Sequence, residues 1–246
     1  MSGMPALEPV AAALEQRWNE ESLARPVTQP DWRVWLYQHP AIVLGRSQRS
    51  LQSEIESQDG LGILSRASGG GAVLVGPWML GLSVVLPTDH AFASAGAVET
   101  YRWLGEGIAR VLVRIGVGAW AISPAALLAH RAKNTSSVVD WACFGGLSPW
   151  EVLVGKRKIG GLAQVRRRQG ILLVAGILVQ APPWELLAHC LGKQAMDAHR
   201  LSEVTTNCAE LCTDMPAGQI AARLAALLNR EVQAALTAKP ASLLAA

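Results

Sequence analysis

Three stretches combine residue types that could do acyl or phosphoryl chemistry. Lys158-Ile159-Gly160-Gly161 sets a lysine just before paired glycines. Glycines inside a strand mark a bulge or the close approach of another group. Lys158 would be held at that approach point, its cation facing a phosphate or an oxyanion developing on an acyl carbonyl. A solvated basic turn with Gly155, Lys156 and Arg157 is the plainer reading of the same residues. In Arg66-Ala67-Ser68-Gly69-Gly70-Gly71, three successive residues lack side chains. Backbone N–H groups can then approach a carboxylate or phosphate, and positive φ is available for a turn. Arg66 adds a planar fork of donors, although a tight turn between strands has the same composition. The third stretch is Ala142-Cys143-Phe144-Gly145-Gly146. Its cysteine is either a small packing residue or, beside a cation such as Lys158 that favours the thiolate, a nucleophile.

Elements must position these residues. Asp31 to Leu36 alternates Trp32, Val34 and Leu36, the period of a strand. After His39-Pro40 a short strand resumes over Ala41 to Leu44, and Leu61 to Ser65 and Ala72 to Val75 flank the glycine loop. Pro77 breaks the chain before a buried strand over Leu80 to Leu86. Trp150 to Val154 reads as a strand, and Lys158 to Arg168 pairs with Ile171 to Val179 across Gln169-Gly170 as a hairpin. A first helix is expected over Val10 to Trp18, with Pro9 at its start. The clearest helix, Gly96 to Ile115, carries Val98, Tyr101, Leu104, Ile108, Val111 and Ile115 on one stripe. Glu106 and Arg110 on its other face are spaced to pair. Pro182 to Leu191 and Ala217 to Leu236 complete the helices. Strands first and helices packed on one side predict an α+β fold with a mixed β-sheet, not a doubly wound one. Residues 1–180 would hold the site, with 181–246 a helical part of the same domain.

Composition narrows the function classes. Half of the 246 residues are hydrophobic and 17% are charged, so a full core can be buried. The net charge of +3 gives no dense basic stripe for nucleic acid, yet suits an acidic carrier protein. The longest apolar run, Gly170 to Gln180, is too short to span a bilayer, and Met1 to Pro9 lacks the pattern of a signal peptide. Cys143, Cys190, Cys208 and Cys212 form neither a disulfide framework nor a zinc site, which points to a reducing, cytoplasmic setting.

Taken in order along the chain, the three stretches resemble the lipoate-protein ligase and octanoyltransferase family. Arg66 to Val73 is similar to that family's R-x-S-G-G-G-A-V loop, and Lys158 to Gln164 to its K-(I/V)-x-G-x-A-Q segment. Pro40 to Gly45, with Gln48, resembles its earlier strand and turn. The resemblance covers roughly residues 30–180. It implies a biotin/lipoate-ligase-like domain with an acyl tunnel. The tunnel would be lined by Arg66, Ser68, Gly69, Gly70, Gly71, Ala72, Gly161 and Ala163, and Lys158 would contact the acyl carbonyl or an adenylate phosphate.

The family divides by mechanism. Ligases activate free lipoate with ATP and Mg; transferases take octanoate from an acyl-carrier-protein thioester and hold it on a cysteine. Cys143-Phe144, fifteen positions before Lys158, resembles the C-F … S-W-Y-E-L … G-R-K arrangement of the cysteine transferases. The ligases' Asn-Asp pair is absent, with Ser148-Pro149 or nearby residues standing there. Val75-Gly76-Pro77-Trp78 and Val174-Ala175-Gly176 replace His- and Asp-bearing segments, which makes the tunnel mouth more apolar and leaves no evident general base. The resemblance thus implies transfer of an octanoyl or lipoyl group to a lysine of a lipoyl-domain or glycine-cleavage-H-type carrier through Cys143. That route needs no ATP, metal, nucleic acid or membrane. An ATP-dependent ligase, and a non-catalytic or amidotransferring relative, are the alternatives. The G-R-G-R-x-G-R-type loop of biotin ligases is absent.

Overall fold

Nine strands form two sheets in the computed structural model, which describes residues 7–55, 61–94, 96–133 and 138–237. They are β1 (Asp31–Leu36), β2 (Ala41–Leu44), β3 (Gly62–Ser65), β4 (Val73–Val75), β5 (Met79–Leu86), β6 (Ala119–Ala121), β7 (Val152–Val154), β8 (Arg157–Arg167) and β9 (Gly170–Leu178). The larger sheet runs β1-β5-β9-β8-β7-β6, antiparallel throughout. The smaller runs β3-β2-β4, with β2 and β3 parallel. The helices are α1 (Ala12–Ser22), α2 (Ala91–Ser94), α3 (Ala97–Arg114), α4 (Pro124–Lys133), α5 (Trp184–Cys190), α6 (Ala195–Val204), α7 (Cys208–Leu211) and α8 (Ala217–Thr237). Two 3₁₀ helices, Arg46–Ser53 and Cys143–Gly145, flank the site.

Strand alternation gives the larger sheet two different faces. Leu80, Leu82, Val84 and Leu86 of β5 join Leu173 and Ile177 of β9 under Leu104, Ile108 and Leu112 of α3 and Leu224 and Leu228 of α8. On the opposite face, Trp35, Met79, Leu172 and Leu178 pack with the smaller sheet and with residues of α1, α5 and α6. The α+β mixed-sheet expectation holds, but helices cover both faces, not one. The reason is that α1 and α5 carry their own buried stripes, Ala12 with Trp18 and Trp184 with Leu187.

Other differences have local causes. Helix α1 begins at Ala12, because the Val10 N–H donates to the Leu36 carbonyl at 2.8 Å and the Val10 carbonyl accepts from Gln38 at 2.9 Å. Those bonds hold Val10 beside the strand. Glu106 pairs with Arg102 at 3.0 Å, leaving Arg110 to reach Glu231 of α8 at 2.9 Å. Val98 of the predicted stripe is exposed. Sequence periodicity missed β6, α4, α6 and the helix Arg46–Ser53. Among the described residues, no helix is long and apolar enough to cross a membrane.

Candidate active site

A register shift sets the lysine. β7 pairs with β8 through Leu153↔Lys158 and Val152↔Gly160, leaving Ile159 as an extra residue. Strict alternation would send residues 158 and 161 to opposite faces; the bulge brings them to one side. A side chain on Gly161 would sit 3.4 Å from Lys158 Cε and 3.5 Å from the Phe144 ring. Lys158 is only 1% exposed. Its ammonium pairs with Glu151 Oε1 at 2.7 Å and donates to the carbonyls of Cys143 at 2.8 Å and Gly146 at 3.0 Å. All three hydrogens are therefore committed to protein acceptors, two of them on the turn that carries Cys143.

The glycine loop and the cysteine turn are stitched together. Ala72 N–H donates to Trp141 O at 2.8 Å, and Cys143 N–H donates to Ala72 O at 2.8 Å. Any side chain on Gly71 would collide with the Trp141–Ala142 backbone, which is why glycine is required there. Gly70 adopts φ +91°, a conformation open to glycine. Arg66 spends its fork on this loop: Nη2 donates to Gly69 O at 3.0 Å and Gly71 O at 2.7 Å, and Nη1 to Val43 O at 3.1 Å. The donor fork read as available to a carboxylate instead satisfies backbone carbonyls and shapes the loop. Gln48 donates to Trp141 O at 2.9 Å, tying the third family-like motif to the same turn.

Between the two sheets lies a narrow slot. The empty space in it and at its mouth amounts to about 480 Å³, part of it open to solvent. Val43, Val73, Val75, Met79, Phe144 and Val174 give it apolar walls, and Cys143 lies in one of them. Its floor follows from strand register. Gly81 of β5 faces Gly176 of β9, which faces Gly161 of β8, with Ala163 two residues further along. Gly176 and Gly161 leave a trough where side chains would otherwise stand, whereas the space over Gly81 is filled by Tyr37 and Trp35.

Glu15 and Tyr37 also line the slot. Tyr37 donates to Glu15 Oε2 at 2.8 Å, and Ser83 lies 3.4 Å from Oε1. Burial pushes the Glu15 carboxyl above its ordinary value; hydrogen bonds from Tyr37, Asn19 and Ser83 and the Arg66 charge offset part of the rise. Burial together with the adjacent Glu15 charge likewise raises the Tyr37 phenol.

Of the residues singled out in the sequence, Cys143, Arg66, Gly161 and Ala163 line the slot. Gly71 and Ala72 stand behind it as the stitch to the cysteine turn, and Gly69 faces open space. Ser68 is buried in an adjoining cavity, with its hydroxyl unpartnered. Lys158 sits under the turn, outside the slot lining. Glu15, Tyr37, Glu151 and the alignment of Gly161 with Gly176 and Gly81 were not singled out. Only Glu15 left a signal, as a carboxylate on the apolar stripe of α1 between Ala12 and Trp18. Cys208 is buried and its thiol is pushed up to about 12, the state of an inert packing cysteine.

The chain matches the lipoyl protein ligase A/B catalytic domain over residues 10–228. It is 32% identical over 168 residues to octanoyltransferase LipM of Kyrpidia tusciae, covering 67% of this chain and 60% of that protein. To octanoyltransferase LipM of an Exiguobacterium species it is 31% identical over 191 residues, 76% of this chain and 67% of the relative. The match thus spans about six tenths of the first relative's length. A solved bi-partite lipoate protein ligase of Thermoplasma acidophilum, studied with its E2 lipoyl domain, shares the fold. The TM-score is 0.61 at 17% identity, covering 92% of this chain and 82% of that one.

Proposed function

The chain belongs to the lipoyl protein ligase A/B catalytic-domain family, and from that premise we propose that it transfers an octanoyl or lipoyl group to a lysine of a lipoyl-domain carrier protein. The acyl group would pass through a thioester on Cys143, without ATP. The observation that carries this reading is the seat of Cys143 in the wall of an apolar slot, on a turn stitched to the glycine loop. The similarity to octanoyltransferases of bacteria supports it.

In this reading the octanoyl chain lies in the trough over Gly176 and Gly161, with its carbonyl at Cys143. The cysteine thiolate attacks the carbonyl carbon of the donor thioester, and the carrier's thiolate leaves and takes up a proton. The neutral amine of the target lysine then attacks the Cys143 thioester. An amide forms, the amine gives up its proton, and the Cys143 thiolate is released. A donor that arrives as a thioester is already activated, so a nucleophile and an oxyanion stabiliser suffice. Glycine-cleavage-H-type proteins and octanoyl-acyl carrier protein are the acceptor and donor of this chemistry.

Intact-protein mass spectrometry after incubation with octanoyl-acyl carrier protein, without nucleotide, tests the reading. An octanoyl adduct that hydroxylamine removes is expected on the wild type and not on Cys143→Ala. Lipoate-dependent pyrophosphate release that survives Cys143→Ala would replace the transferase with an ATP-dependent ligase. Turnover of neither donor would leave a carrier-binding relative.

A further inference from the structure

Two charges are buried with nothing wasted beside Cys143. Glu151 is 2% exposed and Lys158 1%. Glu151 Oε1 accepts from Lys158 at 2.7 Å and from the Leu162 N–H at 3.2 Å, while Oε2 accepts from the Ser148 N–H at 2.7 Å. Burying such a pair seldom adds net stability, since hydrophobic residues of similar volume often serve as well. The preceding residue adds strain. Trp150 adopts φ +67°, uncommon for a bulky side chain, and its N–H is held by the Ile122 carbonyl at 2.6 Å. A disfavoured backbone and a buried ion pair thus converge on one carboxylate. That combination marks a functional constraint, not a packing solution.

We infer that Glu151 is a positioning residue, acting through Lys158, for acyl transfer at Cys143; the inference rests on the transferase reading above. The carboxylate is anchored by backbone N–H groups from two segments, Ser148 before β7 and Leu162 on β8. Lys158's other two acceptors are neutral carbonyls of the cysteine turn. When the thioester carbonyl becomes an oxyanion, the stronger acceptor draws one ammonium hydrogen away from a turn carbonyl. The bond to Glu151 stays, because its acceptor is charged and fixed. Glu151 is the pivot and Lys158 the arm. In the resting protein the arm clasps the turn that holds the nucleophile; during transfer one of its hydrogens turns to the substrate. No proton leaves the Glu151–Lys158 pair in this step.

A double-mutant cycle separates this role from a merely structural one. The single-turnover rate of octanoyl loading, read by mass spectrometry, is compared across wild type, Glu151→Gln, Lys158→Met and the double variant. Each single change is expected to slow loading by at least about 10-fold at saturating donor, with the donor concentration for half-maximal rate little changed. The double variant is expected to be no slower than Lys158→Met alone, and Glu151→Asp to recover part of the rate lost in Glu151→Gln. Multiplying losses in the double variant, or full-speed loading by Glu151→Gln, would overturn the inference. If Glu151→Gln does not fold, Glu151→Met, which cannot pair with Lys158 either, takes its place in the same cycle with the same criteria. Absence of any adduct on the wild type is a different failure, which removes the transferase reading itself.

Discussion

On β5 and β9 alternate residues point to two faces with opposite contents. One side presents Leu80, Leu82, Leu86, Leu173 and Ile177, closed over by α3 and α8. The other presents Val174 and Gly176 to the slot, with Gly81 covered by Tyr37 and Ser83 turned to Trp35 and Glu15. Identical backbone geometry serves both. The difference lies in side-chain volume: the helix-covered face is filled by large apolar side chains apart from a small gap beside Leu82, and the slot face has given volume up where a substrate chain could lie. Stability is drawn from the first face and binding space from the second, so substitutions on the two should fail in different ways.

The largest effect belongs to the filled face. Leu82 is fully buried between β5 and the helices, and Leu82→Ala should destabilise the protein by ~2–5 kcal/mol, measured by urea unfolding. Below the unfolding midpoint, acyl loading of Cys143 should be unchanged; a loading defect there would mean the two faces are coupled. On the slot face, Gly176→Val has a smaller stability cost and a larger functional one. Its Cβ would stand 3.0 Å from Met79 Sδ, an overpacking worth ~1–3 kcal/mol. The added methyls intrude on the trough, so octanoyl loading should fall more than butanoyl loading when the two thioesters compete. An equal fall for both would show that the chain does not lie over Gly176.

Much of the filled face was legible because its signal is local. The alternation in Asp31–Leu36 and the apolar run in Met79–Leu86 specify strands whatever surrounds them, and the α3 stripe specifies a buried helix side. The site was legible only where residue type alone carries meaning: the glycine loop, Cys143 and Lys158. Partners were not. Arg66 was visible as a cation, but its acceptors are carbonyls of the loop it belongs to, and no pattern announces them. Glu151 sat in a segment that reads as plain strand from Trp150 onward. The positive φ at Trp150 and the bulge opposite β7 are what aim it at Lys158. Both depend on tertiary contacts. The α1 residue Glu15 stands on the apolar stripe of its helix, but its partners Tyr37 and Ser83 come from distant segments that no local pattern announces.

Glu15 offers the subtlest way to probe the slot face. Burial raises its carboxyl above the ordinary 4.5, so folding favours the protonated form. A group whose folded value lies above its unfolded one contributes stability that is complete below pH 4.5 and is lost as pH climbs through the raised folded value. Glu15→Gln fixes a neutral amide of the same shape at every pH. Urea unfolding of the two proteins should therefore give nearly the same stability below pH 4.5, with the variant gaining on the wild type as pH rises and the gap levelling off above the folded value. The opposite slope, with the wild type pulling ahead on the alkaline side, would mean that the hydrogen bonds from Tyr37, Asn19 and Ser83 and the Arg66 charge outweigh desolvation and that Glu15 is held as a carboxylate. The end of the slot would then be anionic, and an unsubstituted hydrocarbon tail would be the wrong occupant for it.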